Sequence, residues 1–206
     1  GNDPMINRKA IGYITANYTS KEHSHLLECR PLASIPFMGR YRLIDFPLSN
    51  MMNAGIRTVG VVLPGNYRSL VDHLGSGREW ELDRKKGGLF LLQGSAYGTA
   101  KKGIRFLLRD INTNKILFQR ASEPYVVMSA TNIVFNMDLS AVIDAHERSG
   151  SGVTMIYKKA DRQLEDVTKL DINENGRVTD LKSGCAYGDN QFLDCFIINR
   201  DLLLEL

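Results

Sequence analysis

The sequence predicts an α/β domain with a mostly parallel, doubly wound sheet. Three observations carry this. Short apolar runs alternate with helix-like stretches along the chain, as when crossover helices join the strands of one sheet. The strongest runs, 10–16, 58–63 and 125–129, lack period-2 alternation, which suits strands covered on both faces. Length and composition fit one ordinary domain or slightly more: 206 residues, 43% hydrophobic and 24% charged. A chain of this size buries about 70% of the surface that its unfolded form exposes, enough for a core. A disordered chain, a collagen-like repeat and a coiled coil are excluded.

The elements follow in order. Ala10 to Ala16 reads as a buried strand, followed by polar residues from Asn17 to His25. Leu48 to Ala54 forms a short helix stopped by Gly55. Thr58 to Leu63 is a strand ended by Pro64-Gly65. Tyr67 to Leu74 is helical, and Leu89 to Leu92 is a short strand. Thr99 to Asp110 is a longer helix, with Ile104, Leu107, Leu108 and Ile111 on one face. Tyr125 to Ser129 is a strand, and Asp138 caps a helix from Leu139 to Arg148. Val153 to Tyr157 is the next strand. Asn175-Gly176 then marks a hairpin between Lys169–Ile172 and Arg177–Leu181. Phe192 to Ile198 is a last strand, and a helix starts at Arg200. Ligands of such sheets bind beyond the carboxyl ends of the strands. Segments 17–36, 64–67, 94–99 and 130–137 are therefore where a site belongs.

Bulk properties narrow the function. Lys plus Arg is 26 and Asp plus Glu is 23, a net charge of +3, too small to mark a nucleic-acid binder. Cys29, Cys185 and Cys195 are odd in number, never in CxxC spacing and never near a His at zinc-ligand spacing. This argues against a disulfide framework or a zinc site and fits a reducing cytoplasm. No apolar run reaches about 18 residues, so no membrane span is expected, and no secretory signal is visible. Gly1 to Pro4, before Met5, reads as a tag remnant, leaving 5–206 as the domain.

Arg40-Tyr41-Arg42-Leu43-Ile44-Asp45-Phe46-Pro47-Leu48-Ser49-Asn50, with Asn53-Ala54-Gly55-Ile56, resembles the signature of the glucose-1-phosphate adenylyltransferases (ADP-glucose pyrophosphorylases). The similarity continues through Gly98-Thr99-Ala100, Tyr125 to Asp138, Glu174-Asn175-Gly176 and Asn199 to Leu206. It implies a Rossmann-like nucleotidyltransferase fold and a role in making ADP-glucose for glycogen. Family members are longer: they complete this domain and add a left-handed β-helix, which this chain lacks. The chain is thus expected to be most of one domain, cut from a larger subunit. The family's second metal carboxylate would fall beyond residue 206.

The departures from that pattern are as informative as the matches. The family's first strand ends in Gly-Gly-x-Gly-x-Arg-Leu, whose backbone N–H groups wrap the nucleotide phosphates. Counting back from Arg42, the three glycines and the Arg become Asn17, Tyr18, Ser20 and Glu22. A cation becomes an anion. A Lys-Pro-Ala that follows becomes Leu32-Ala33-Ser34, so that Lys is lost, and Arg30, two residues away, points elsewhere. The family's metal-binding Asp in Gly-Asp-His becomes Asn132. Such Mg²⁺ sites rest on one or two carboxylates plus substrate phosphates. The Glu-Lys-Pro that meets the sugar phosphate becomes Ser183-Gly184-Cys185, and a Ser-x-Gly becomes Phe192-Leu193-Asp194.

Other positions keep two readings. Gly98 and Thr99 either line an adenine pocket or cap a helix. Arg30, Arg40 and Arg42 either face a phosphorylated sugar effector or a partner, or, for Arg40 and Arg42, form a solvated pair tied to Asp45. His73 and His146 sit within helices without partners and read as core or surface. His23 and His25 lack further ligands for a metal. Lys85-Lys86 and Lys101-Lys102 read as solvated faces.

The resemblance therefore implies a regulatory, catalytically inactive subunit of glucose-1-phosphate adenylyltransferase. It would pair with a catalytic subunit in a heterotetramer, with no resident metal, no nucleic acid and no membrane partner. The first alternative is an active adenylyltransferase using Mg²⁺ and ATP. The second is a stand-alone sensor of sugar phosphate or nucleotide.

Overall fold

The computed structural model describes residues 6–7, 9–16, 36–37, 41–42, 44–63, 88–93, 106, 108–131, 133 and 135–206. The elements in chain order are β1 (Ala10–Thr15), β2 (Pro36–Phe37), β3 (Tyr41–Arg42), α1 (Asp45–Asn53), β4 (Thr58–Leu63) and β5 (Gly88–Gln93). Then come α2 (Leu108–Thr113), α3 (Lys115–Arg120), β6 (Tyr125–Ala130), α4 (Leu139–Ser149) and β7 (Val153–Lys159). β8 (Leu164–Ile172), β9 (Val178–Cys185), β10 (Asn190–Asn199) and α5 (Arg200–Leu204) complete the chain.

One sheet runs in the order β5-β4-β1-β6-β10-β8-β9, with β7 also paired to β10. Its first four strands are parallel, with Gly12 opposite both Val59 and Val127. β10 is antiparallel to β6, β7 and β8, and β8 and β9 form an antiparallel hairpin. The parallel arrangement read from the sequence describes the core half, and an antiparallel extension follows it.

Period-2 alternation sorts the buried residues into two layers. Ala10, Ile14, Val59, Val61, Val127, Cys195 and Ile197 face Leu48 and Met51 of α1 and Leu139 and Ile143 of α4. Ile11, Tyr13, Val62, Val126 and Met128 face Ile111, Phe118 and Leu203 of α2, α3 and α5. Helices thus cover both faces, as a doubly wound sheet requires. At Gly12 a Cβ would stand 2.4 Å from the Met51 sulfur, so α1 packs close against β1 there and Met51 would have to shift to admit a side chain.

The boundaries move where local chemistry permits. α1 starts three residues before the expected Leu48, because Pro47 is tolerated in a first turn. α4 starts where expected: the Asp138 carboxylate accepts from the Ala141 N–H at 3.3 Å, and Gly150 ends the helix at φ +68°. The expected helices 67–74 and most of 99–110 lie outside the described residues.

Candidate functional site

The parallel strands place their carboxyl ends together at Thr15, Leu63 and Ala130. The Ala16 N–H donates to Val62 O at 3.0 Å, and the Thr131 hydroxyl reaches Thr15 O at 3.4 Å. Thr15, Ser129, Thr131 and Asp194 are all buried polar residues. In an open parallel sheet this pole is where ligands bind.

Two residues shape the pole. Asn50 closes one side from α1: its Nδ2 donates to Phe135 O at 3.0 Å and its Oδ1 accepts from the Met137 N–H at 3.3 Å. Both halves of a buried amide are thereby satisfied, and the segment after β6 is pinned to α1. β10 supplies the other side. Its pairing with β7 slips between Phe192 and Phe196, so that Leu193, Asp194 and Cys195 stand against the single residue Ile156. Asp194 takes φ 51°, the one positive φ outside glycine among the described residues. Cys195 pairs with Ser129, so Asp194 lies one step beyond, at the end of β6.

Cys195 offers no nucleophile. Burial pushes its thiol up to about 12, the Asp194 charge adds to this, and a hydrogen bond with Ser129 opposes it. A thiol so held stays protonated at neutral pH. Cys185 is likewise pushed up, first by burial and then by Asp189. Both are free cysteines.

Ser183 and Gly184 do come together in a site. They line an open groove of about 450 Å³ with Gln163, Leu164, Glu165, Cys185 and Ala186, at the start of β8. Gly184 holds φ +83°, and a Cβ there would come within 3.4 Å of Leu164 O. The residue is chosen for its backbone and projects no group into the groove. Among the described residues, the lining offers one carboxylate, Glu165, and no cation. Such a groove suits neutral hydroxyls better than a phosphate.

The remaining expectations divide. Glu22, Leu32, Asn132, Gly98, Thr99, Arg30 and Arg40 lie outside the described residues, as do Cys29, His23, His25, His73 and the paired lysines. Arg42 is described in its backbone only, as a residue of β3 opposite Pro36. His146 is corrected: it is not without partners. Its ring is buried, with Nδ1 at 2.5 Å from the Thr154 hydroxyl and Nε2 at 2.7 Å from Asn199 Oδ1, and it stands edge-on to Tyr125. Those partners lie on β7, β10 and β6, so no local pattern reveals them. Asn50 belonged to the recognised signature but carried no role until the fold placed it.

Among the described residues no group of three His, Cys, Asp or Glu side chains could hold a metal ion. Among the same residues no helix is long and apolar enough to cross a membrane.

Comparison with known proteins agrees with this geometry. The glycogen biosynthesis protein GlgD of Bacillus subtilis (strain 168) is 40% identical over 156 residues, covering 75% of this chain and 45% of that protein. GlgD of Geobacillus stearothermophilus is 38% identical over 160 residues, covering 78% and 46%. A glucose-1-phosphate adenylyltransferase of Clostridium novyi (strain NT) is 27% identical over 206 residues, covering 98% and 53%. The chain thus spans about half the length of these relatives. A Bacillus anthracis protein, provisionally described as a glucose-1-phosphate thymidylyltransferase and solved with a sucrose, shares the fold. Its TM-score is 0.69 at 12% identity, covering 94% of this chain and 73% of that one. The nucleotidyl transferase family model matches residues 30–182, most of the chain. On its sheet order and this match, the chain belongs to the nucleotidyl transferase family.

Proposed function

We propose that this chain is part of a regulatory, catalytically inactive subunit of a glucose-1-phosphate adenylyltransferase in glycogen biosynthesis. The observation that carries the reading is the β8–β9 groove. Where the resemblance expects a carboxylate and a lysine, the groove has the Ser183 hydroxyl and Gly184, a residue with no side chain. Among the described residues that line it, none offers a phosphate a cation. The kinship to the GlgD glycogen biosynthesis proteins supports the pathway. Glu22, Leu32 and Asn132 support the loss of chemistry, since each removes a separate contribution to phosphate or metal binding.

The partner is a catalytic subunit of the same family, joined in a heterotetramer, and a phosphorylated sugar is the effector class. Arg30, Arg40 and Arg42 are its proposed contacts. The compartment is the cytoplasm. The test uses the full-length protein with ATP, glucose 1-phosphate and Mg²⁺, reading pyrophosphate. Alone it forms none above background. Added to a catalytic homologue it co-elutes and changes KM, kcat or the effector response. Robust turnover by the protein alone would establish the active-enzyme alternative instead. Silence alone with no co-elution and no kinetic change points to a stand-alone sensor.

A further inference from the structure

The hairpin between β8 and β9 ends in a chemically reactive pair. Asn175-Gly176 is the only Asn-Gly step in the sequence. It lies in the turn that joins the two strands, where residues 173–177 are all exposed. Gly176 takes φ +77°, and a Cβ there would meet nothing within 4 Å, so water has open access to this stretch of backbone. Among the described residues the Asn175 carboxamide makes no hydrogen bond, and its Cγ is free to approach the next backbone nitrogen. The surrounding backbone, by contrast, is held by Asn173. Its N–H donates to Arg177 O at 2.9 Å, and its O accepts from the Gly176 N–H at 2.9 Å. Its Oδ1 accepts from the Asn175 and Arg177 N–H groups, each at 3.0 Å. A short amide side chain that closes a turn on its own backbone is a known role of Asn.

We propose that Asn175 is a site of spontaneous deamidation and that Asn173 sets its pace. The Gly176 nitrogen gives up its proton to solvent and attacks Asn175 Cγ. A new C–N bond closes a cyclic imide, the Cγ–Nδ2 bond breaks, and a proton from solvent leaves with the amide nitrogen as ammonia. Water then opens the imide at either carbonyl, giving aspartate or isoaspartate, with no change of oxidation state. Glycine hinders the attack least, because no side chain stands beside its nitrogen. In the closed turn that N–H is donated to Asn173 O, which opposes loss of its proton. Reaction therefore proceeds from a locally opened turn, and opening costs little at an exposed tip. The product alters the hairpin. A neutral amide becomes a carboxylate beside Glu174. Isoaspartate also routes the main chain through the former side chain and lengthens it by one carbon. The bonds of Asn173 then cannot all close, and the ladder frays from its end at Ile172 and Val178.

The test follows the full-length protein through incubation at mildly alkaline pH. Trypsin, cutting after Lys169 and Arg177, releases the peptide 170–177 for mass spectrometry. In the folded parent Asn175 should gain one mass unit and yield two separable isomers, more slowly than in the same protein unfolded in urea. Asn173→Ala removes the Oδ1 acceptor and should speed the conversion several-fold. Asn173→Asp keeps an acceptor in the same place and should stay near the parent rate. Gly176→Ala should slow the conversion even in urea, where an effect of the turn alone would vanish. A folded parent whose Asn175 stays intact while the unfolded protein converts would overturn the site. Asn173→Ala converting no faster than the parent would overturn the role given to Asn173.

Discussion

Two halves of one sheet obey different rules. Every residue of β1 is buried, whereas on β9 the first six residues are exposed and burial returns only at Gly184 and Cys185. The strands β5, β4, β1 and β6 lie between helices that face both layers of the core. The β8–β9 hairpin leaves Val178 and Leu181 exposed. The parallel half therefore holds its shape by packing. The hairpin rests on ladder hydrogen bonds and surface charges, so its sequence can change with little cost to the fold. The groove at Ser183 and Gly184 lies at this permissive end. Asp194, with its left-handed backbone, lies at the border between the two halves.

The largest effect should come from breaking the covered half. Phe118 of α3 is fully buried and packs against Tyr13, ring centroids 5.5 Å apart. Phe118→Ala should cost about 3–5 kcal/mol by the lost transfer free energy and the cavity left behind. Leu181→Ala on β9, at 56% exposure, should stay within about 0.5 kcal/mol. Denaturant unfolding of both variants checks this, and equal costs would end the distinction between the halves.

A smaller effect is expected where a helix is anchored onto the sheet. Asp138→Ala removes the acceptor for the Ala141 N–H at the start of α4 and should cost about 1 kcal/mol. Asp138→Asn should restore most of it, because Asn is an equally good cap. Failure of Asn to rescue would mean that the carboxylate charge acts at the pole rather than as a cap.

The same division explains how much was legible beforehand. β1, β4 and β6 declare themselves through unbroken apolar runs, and their partners follow from the crossover rule. β8 and β9 are longer than the alternating segments that suggested them. Glu165, Asp166, Lys182 and Ser183 extend the ladder without any core-facing pattern. α3 has no counterpart among the elements expected from the sequence. In the fold, Asn114 continues the turn: its N–H and its Nδ2 both donate to Asp110 O, at 3.1 and 2.9 Å, and a second helix starts beyond it. Of the candidate site, the resemblance singled out Ser183 and Gly184, which the fold places along one groove. The left-handed backbone at Asp194 was not legible, since it goes with a bulge against β7, which is distant in sequence.

The smallest effect tests whether charge pairs organise the hairpin. Lys182 Nζ lies 2.6 Å from Asp171 Oδ2, and Lys169 stands 3.6 Å from Asp171 and 3.7 Å from Asp189. The hydrogen bond from Lys182 is the main reason that the Asp171 carboxyl is held below the usual carboxylate range, and the lysine is raised in turn. A depressed carboxyl contributes stability above its unfolded pKa and loses it as pH falls through the folded value. A raised lysine contributes below its unfolded pKa and loses it as pH climbs through the folded one. The pair therefore acts across the neutral range and fades at both extremes. Lys182→Met should return the Asp171 titration toward its ordinary value, but only partly, because Lys169 remains. Carboxyl chemical shifts followed by NMR read this directly. Stability at neutral pH should barely change, since exposed pairs are worth little and salt screens them. An unmoved Asp171 titration would remove the pair from the account of the hairpin. A clear loss of stability would show that the hairpin depends on its charges as the parallel half depends on its core.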